Sequence, residues 1–199
     1  MEYGSRIRFI SFIVGGLLLL VLSLWGITAL ARNLIGSGSK DATTQVKKID
    51  LAEYTKPSTF VRLTLEGPIV SNEKYQSYQI EVGQDYREIK IFSGYNKTVI
   101  SQQRYTNNAT AYEAFLKSLK QANYTSTVKG ASDNETGYCS TGNRYVYELY
   151  EGATQKLRTW SSTCTGTVTS TFAGLSTTVR TLFKKQIPDI DKLTAKISL

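Results

Sequence analysis

The sequence predicts an α+β protein: one N-terminal transmembrane helix, then an antiparallel sheet of about six strands packed with two helices. Three observations predict it. A long apolar run without a charge stands near the N-terminus, period-two alternation dominates the middle of the chain, and two later segments have helical spacing. The 199 residues leave room for one membrane span and one modest domain.

The apolar run extends from Phe9 to Ala31. At about 1.5 Å rise per residue, such a helix crosses a hydrocarbon core of roughly 30 Å. A cleaved signal peptide is the competing interpretation, but its apolar region is only about 7–15 residues long. We therefore expect a signal-anchor helix at 9–31 and a short cytoplasmic tail at 1–8. The protein is then a single-pass protein of the cell membrane whose C-terminal domain is extracytoplasmic.

Residues 32–57 are rich in Gly, Ser, Thr and Lys and lack sustained periodicity. This composition predicts a juxtamembrane stalk, with a short helical piece around Val46 to Tyr54 and an end at Pro57. The extracytoplasmic domain is then expected at 58–192, followed by a C-terminal tail at 193–199.

Period-two alternation begins at Thr59 and predicts four strands in succession. Their segments read TFVRLTLEG, YQIEVG, YREIKIF and TVISQQRY, with turn signals at Gly67–Pro68 and at GYNK, residues 94–97. Because the connections are short, we expect an antiparallel meander with one covered face and one face in water.

The segment TNNATAYEAFLKSLKQANY switches to helical spacing. Thr110 and Glu113 have the spacing of a capping box, in which each side chain bonds a free backbone N–H of the first turn. The apolar residues at positions i, i+3, i+4 and i+7 are Tyr112, Phe115, Leu116 and Leu119. This stripe is expected to cover the meander.

A second helix is predicted in TFAGLSTTVRTLFKKQ. Lys184 and Lys185 match the negative C-terminal end of a helix dipole, and Pro188 ends the segment. The residues that share the apolar stripe are Phe172, Leu175, Val179, Leu182 and Phe183.

Two cysteines, Cys139 and Cys164, flank a predicted strand–turn–strand segment. A metal site with two thiolates and no histidine is uncommon, and a redox pair usually has Cys-X-X-Cys spacing. In an oxidising compartment a disulfide is the favoured interpretation. Closing a loop of this size contributes about 3 kcal/mol in the chain-entropy account.

If the two cysteines face each other, the hairpin centres between Glu151 and Gly152, and Val146 faces Leu157. The opposite face then carries a ribbon of aromatic and basic residues, the candidate binding ribbon: Tyr145, Tyr147, Lys156, Arg158 and Trp160. Such a ribbon suits stacking on sugar rings or docking of another protein. Two alternatives stay open: the pairs serve sheet stability alone, or the tyrosine face lies inside, since one bulge exchanges the faces.

The chain has no histidine, which excludes Ser-His-Asp and Cys-His nucleophilic systems and His-ligated metals. No catalytic residue, metal site or cofactor is predicted. A carboxylate pair of the glycosidase type is the enzymatic alternative, with four candidates: Asp85, Glu88, Glu148 and Glu151.

The formal net charge of +8 is spread thinly along the chain. Nucleic-acid binding requires a clustered basic stripe, so no nucleic-acid partner is expected. Outside a cell, a diffuse positive surface suits an anionic envelope polymer, an acidic protein partner or simple solubility.

The layout from FVRLTLEGPIV through AYEAFLKSL to NRYVYELY and LRTWSSTC resembles uncharacterised single-span surface proteins of small-genome, host-associated bacteria. The resemblance extends over most of the chain and implies no known activity, so no functional residue is carried over from it.

Composition and topology together predict a membrane-anchored, non-enzymatic extracytoplasmic domain for protein–protein or cell-envelope interaction. The alternatives are an anchored or secreted carbohydrate-active enzyme that uses Asp and Glu, and an accessory subunit of a membrane complex.

Overall fold

The computed structural model describes residues 49–164, 170–195 and 197. The predicted tail 1–8, the transmembrane segment 9–31 and the stalk up to residue 48 lie outside these residues. Within them, no helix has both the length and the apolar character needed to cross a bilayer.

The described residues form six strands: β1 (Thr59–Glu66), β2 (Gln76–Gly83), β3 (Tyr86–Ser93), β4 (Thr98–Thr106), β5 (Arg144–Glu151) and β6 (Thr154–Ser162). They form one antiparallel sheet in the order β4-β3-β2-β1-β5-β6. The predicted meander is confirmed, because β1 to β4 each pair with the next strand. Strand β5 returns beside β1, so the last hairpin extends the sheet on that side.

Helix α1 (Ala109–Gln121) buries the predicted stripe of Tyr112, Phe115, Leu116 and Leu119. Its cap differs from the predicted Thr110–Glu113 capping box. The side chain of Asn108 accepts a hydrogen bond from the Ala111 N–H at 2.9 Å. The helix therefore begins earlier, because Asn108 already satisfies a free backbone donor of the first turn.

Helix α2 (Ser176–Lys184) is shorter than the predicted segment, and a third helix, α3 (Ile190–Thr194), follows it. Phe172 lies outside α2, since its N–H donates to the Trp160 carbonyl at 3.0 Å and so continues the edge of β6. Leu175 is 55% exposed, whereas Val179 and Phe183 are buried as predicted.

Helices α1 and α2 lie against the same side of the sheet, where the ring centroids of Phe115 and Phe183 are 5.2 Å apart. We call this side the helix face and the opposite side the outer face. The strand residues that form the core on the helix face include Val61, Leu63, Leu65, Tyr78, Ile80, Val82, Tyr145, Tyr147 and Leu149. Full burial of an aliphatic side chain of this size contributes roughly 1.5–3 kcal/mol.

The core extends beyond residues 58–192 on both sides. Leu51, in a 3₁₀ turn at Leu51–Tyr54, is buried in the core. Leu193 and Ile197 pack partly against the same cluster. The end of the predicted stalk and part of the predicted tail therefore belong to the folded region.

Candidate functional site

The register of the β5–β6 hairpin decides which side chains share a face. Gly152 and Ala153 form the turn between the paired residues Glu151 and Thr154. A shift between Leu149 and Tyr150 then brings Val146 opposite Trp160. The predicted pairing of Val146 with Leu157 is therefore wrong, because the turn lies one residue later and a bulge adds a further shift.

This register divides the candidate binding ribbon between the two faces of the sheet. Tyr145 and Tyr147 point to the helix face and are 6% and 0% exposed. Arg158 pairs with Glu148 in the ladder and lies on the outer face, as does Trp160. Lys156 stands at the bulge and forms an ion pair with Glu151 at 3.0 Å. The five residues are not one surface.

Both outer-face residues of the ribbon are held by the loop that precedes β5. Two nitrogen–oxygen contacts, at 2.7 and 2.6 Å, join the Arg158 guanidinium to the Glu135 carboxylate. The Trp160 Nε1–H donates to the Ser132 carbonyl at 2.7 Å, and its ring lies 5.4 Å from that of Tyr138. Trp160 is fully buried as a result.

The disulfide Cys139–Cys164 is confirmed, with a Cα–Cα distance of 5.5 Å. It joins the end of this loop to the chain just after β6, outside the strand ladder. Arg144 supports the same region, since its guanidinium donates to the carbonyls of Gly67, Tyr138 and Cys139 at 2.9, 3.1 and 3.3 Å. The disulfide therefore anchors the loop that covers Arg158 and Trp160.

A row of charged residues crosses the outer face, with one member from each strand. The strand pairings place Arg104 opposite Glu88, Glu88 opposite Glu81, and so on across the sheet. In order from β4 to β6, the row is Arg104, Glu88, Glu81, Arg62, Glu148 and Arg158. Three of its side chains are positive and three are negative. We call this set the charged row.

The charged side chains of the row form ion pairs with one another and with neighbouring residues. Arg62 lies 2.8 Å from Glu81 and 3.7 Å from Glu148. Glu88 lies 2.9 Å from Lys90 and 3.7 Å from Arg104. Burial raises the pKa of Glu88, but hydrogen bonds and nearby positive charge outweigh it, so that the pKa is lowered. The row is therefore part of a network of ion pairs within the protein.

The four carboxylates considered for a glycosidase have different surroundings. Glu88 and Glu148 belong to the charged row, and Asp85 is exposed in the β2–β3 turn. Hydrogen bonds and charge from Lys156 and Lys56 lower the pKa of Glu151. A glycosidase acid needs a raised pKa, so the lowered pKa values of Glu88 and Glu151 disfavour that role.

A cavity of ≈ 230 Å³ lies between α2 and the sheet; we call it the α2 pocket. Its sheet side is formed by Leu65, Tyr78 and Tyr145, and its helix side by Thr177, Arg180, Thr181 and Lys184. The four helix residues have i, i+3, i+4 and i+7 spacing, which brings them to one side of α2.

Arg180 is held in place without a carboxylate. Its guanidinium carbon lies 4.2 Å from the centre of the Tyr145 ring. Its Nη2 donates to the Thr177 hydroxyl at 3.0 Å, and its Nε to the Ser176 carbonyl at 3.4 Å. In the part of the chain that the structure describes, neither Arg180 nor Lys184 is in an ion pair. Neither cation of the pocket is therefore neutralised by a direct carboxylate contact.

The sheet side of the α2 pocket contributes hydroxyl groups. Burial raises the pKa of Tyr78, and the nearby Tyr145 adds to this shift while Arg180 opposes it. The Tyr78 hydroxyl thus keeps its proton at neutral pH and remains a hydrogen-bond donor. Behind it, Tyr147, Ser161 and Ser176 form a triangle of hydroxyls, with oxygen–oxygen distances of 3.0, 2.8 and 3.0 Å.

Among residues 49–164, 170–195 and 197, no group of three or more His, Cys, Asp or Glu side chains is arranged to hold a metal ion. No protein-family model matches the sequence, and no curated protein matches it either. The function must therefore be inferred from the geometry and charge of the residues that line the α2 pocket.

Sequence reasoning missed three polar residues of this pocket, Thr177, Arg180 and Thr181. A signal for them was present, because with Lys184 they form a polar stripe beside the apolar stripe of the same helix. Of the candidate ribbon, only Tyr145 lines the α2 pocket.

Proposed function

We propose that the chain is a membrane-anchored, non-enzymatic domain that works outside the cytoplasm and binds an anionic partner. The apolar run 9–31 supports the anchor, and the net charge of +8 supports an anionic partner. An envelope polymer or the acidic surface of a protein would supply the negative charge.

One observation carries the proposal: neither cation of the α2 pocket is in an ion pair among the described residues, and Arg180 is held by contacts with Tyr145, Thr177 and Ser176. The cations of the charged row, in contrast, are all matched by carboxylates. An ordered cation without a counter-ion attracts an anionic ligand and loses little side-chain freedom on binding it.

The test is co-sedimentation of the detergent-solubilised full chain with envelope fragments from the cell that produces it. The wild type is expected to sediment with the fragments, and the double variant R180A/K184A to bind more than about 10-fold more weakly, as expected from the loss of charge-assisted hydrogen bonds from two side chains. The control is K117A/K129A, which removes the same net charge at two exposed lysines outside the α2 pocket.

Equal sedimentation of R180A/K184A and the wild type would overturn the proposal, as would equal losses in the two double variants. Protease treatment of the fragments then separates the two kinds of partner. Binding that survives the treatment indicates a polymer, and binding that disappears indicates a protein.

A further inference from the structure

The α2 pocket offers many hydrogen-bond donors from several directions. A guanidinium group has five N–H donors, of which Arg180 uses two within the protein. The ammonium group of Lys184 adds three more. The Thr177 hydroxyl accepts from Arg180 and so keeps its own proton available for a ligand. A site of this kind favours an anion with several oxygens.

No carboxylate lines the α2 pocket among the described residues. Asp191 is close enough to raise the pKa of Tyr78, and it lines an adjoining cavity that Lys184 and Thr181 also line, but it makes no ion pair with Lys184. In that cavity Asp189 is already paired with Lys192 at 3.1 Å. The local charge therefore stays positive beside Arg180 and Lys184.

The size and lining of the pocket further limit the kind of ligand that it can bind. Its ≈ 230 Å³ exceed the space of a few water molecules, at about 30 Å³ of liquid volume each. The Tyr78 and Tyr145 rings and Leu65 give the sheet side an apolar surface with hydroxyl groups at the ring tips. Such a surface suits the C–H groups of a sugar or polyol, while the helix side binds the attached anion.

We propose that the α2 pocket binds a phosphate ester of a sugar or polyol. Arg180, Lys184 and Thr177 bind the phosphate oxygens, and Tyr78 and Tyr145 contact the carbon skeleton. A phosphate presents more oxygens than a carboxylate to donors that converge from different directions, and a phosphate monoester also carries more charge. This inference rests on the proposed function and names the chemical group that the domain recognises.

The experiment is isothermal titration of the full chain in phosphatidylcholine nanodiscs with glycerol 3-phosphate. We expect saturable binding of one ligand per chain, weaker binding of inorganic phosphate and no saturable binding of acetate at the same concentrations. K184A and R180A are each expected to weaken binding about 10-fold, in line with the loss of hydrogen bonds to a charged group. R180K, which keeps the charge but loses the planar fork, should lie between them and the wild type.

K117A is the control and should bind like the wild type, since Lys117 is exposed on α1. Circular dichroism melting shows whether each variant is folded. If R180A does not fold, K184A decides, because Lys184 is exposed and makes no ion pair among the described residues. Acetate binding as tight as that of glycerol 3-phosphate, or undiminished binding in K184A, would overturn the inference.

Two further arms distinguish the source of the phosphate ester. Competition by soluble poly(glycerol phosphate) indicates a polymer repeat, and a gain in affinity on phosphatidylglycerol nanodiscs indicates a lipid headgroup. Either result supports the phosphate-ester site.

Different results would overturn the proposed function and the phosphate-ester site. Charge-dependent sedimentation with envelope fragments but no binding of glycerol 3-phosphate overturns this inference alone. Binding of glycerol 3-phosphate without sedimentation overturns the proposed function alone.

Discussion

Arg104 and Arg180 each lie on a tyrosine ring, on opposite sides of the sheet. The guanidinium carbon of Arg104 is 3.9 Å from the Tyr86 ring centre on the outer face, and that of Arg180 is 4.2 Å from the Tyr145 ring on the helix face. Arg104 is also 3.7 Å from the Glu88 carboxylate, whereas Arg180 has no such partner among the described residues. Stacking orients both groups, and the carboxylate decides whether the charge is still available to a ligand.

The same difference separates the two surfaces as a whole. Each arginine of the charged row lies within 3.7 Å of a carboxylate, in the row itself or in the loop that precedes β5. The α2 pocket gathers cations and hydroxyls with an apolar floor. We therefore expect changes in the outer face to alter stability, and changes in the pocket to alter binding.

The largest effect on stability is expected from R144L. Arg144 is buried, bonds three backbone carbonyls and lies 3.5 Å from Glu66, so its loss leaves several buried polar groups unpaired. We expect the free energy of unfolding to fall by roughly 3–5 kcal/mol, measured by urea denaturation.

K97A is the matched control, because Lys97 pairs with the same Glu66 at 3.2 Å while its side chain is 50% exposed. Its expected cost is about 0–1 kcal/mol. A loss in R144L no larger than that in K97A would show that the buried guanidinium does not hold the loops across the outer face.

A smaller, pH-dependent effect is expected from E88Q. Because the pKa of Glu88 is lowered in the folded state from its ordinary 4.5, its stabilising contribution is present above that value and is lost as the pH falls through the folded pKa. E88Q removes this contribution at neutral pH. The difference in urea midpoint between the wild type and E88Q should therefore be larger at about pH 7 than at about pH 3. A constant difference would contradict the ionic role of Glu88.

The strands β1 to β3 and the stripe of α1 could be predicted from the sequence because each has a clear period, two or 3.6. Strand β4 lacks such a period and is indicated by the turn signal at residues 94–97 before it. The hairpin register could not. Placing Cys139 and Cys164 opposite each other in the ladder leads to the wrong register, because the disulfide lies beyond both strands. Small shifts of this kind leave composition and periodicity unchanged, yet they move side chains between faces.

The α2 pocket was beyond prediction for the same reason. Its helix side is readable as a polar stripe, but its sheet side depends on Tyr145 pointing toward the helices. The start of α2 depends in turn on Phe172, which joins the edge of β6 through its backbone. Long-range pairing decides both, and local sequence does not encode it.

The central claim is that an arginine binds the ligand only where no carboxylate neutralises it. It is tested most directly by measuring glycerol 3-phosphate affinity for R104A and R180A side by side, since both variants remove a guanidinium stacked on a tyrosine ring. We predict wild-type affinity for R104A and about 10-fold weaker binding for R180A. Equal affinities in the two variants, or a greater loss in R104A, would contradict the account.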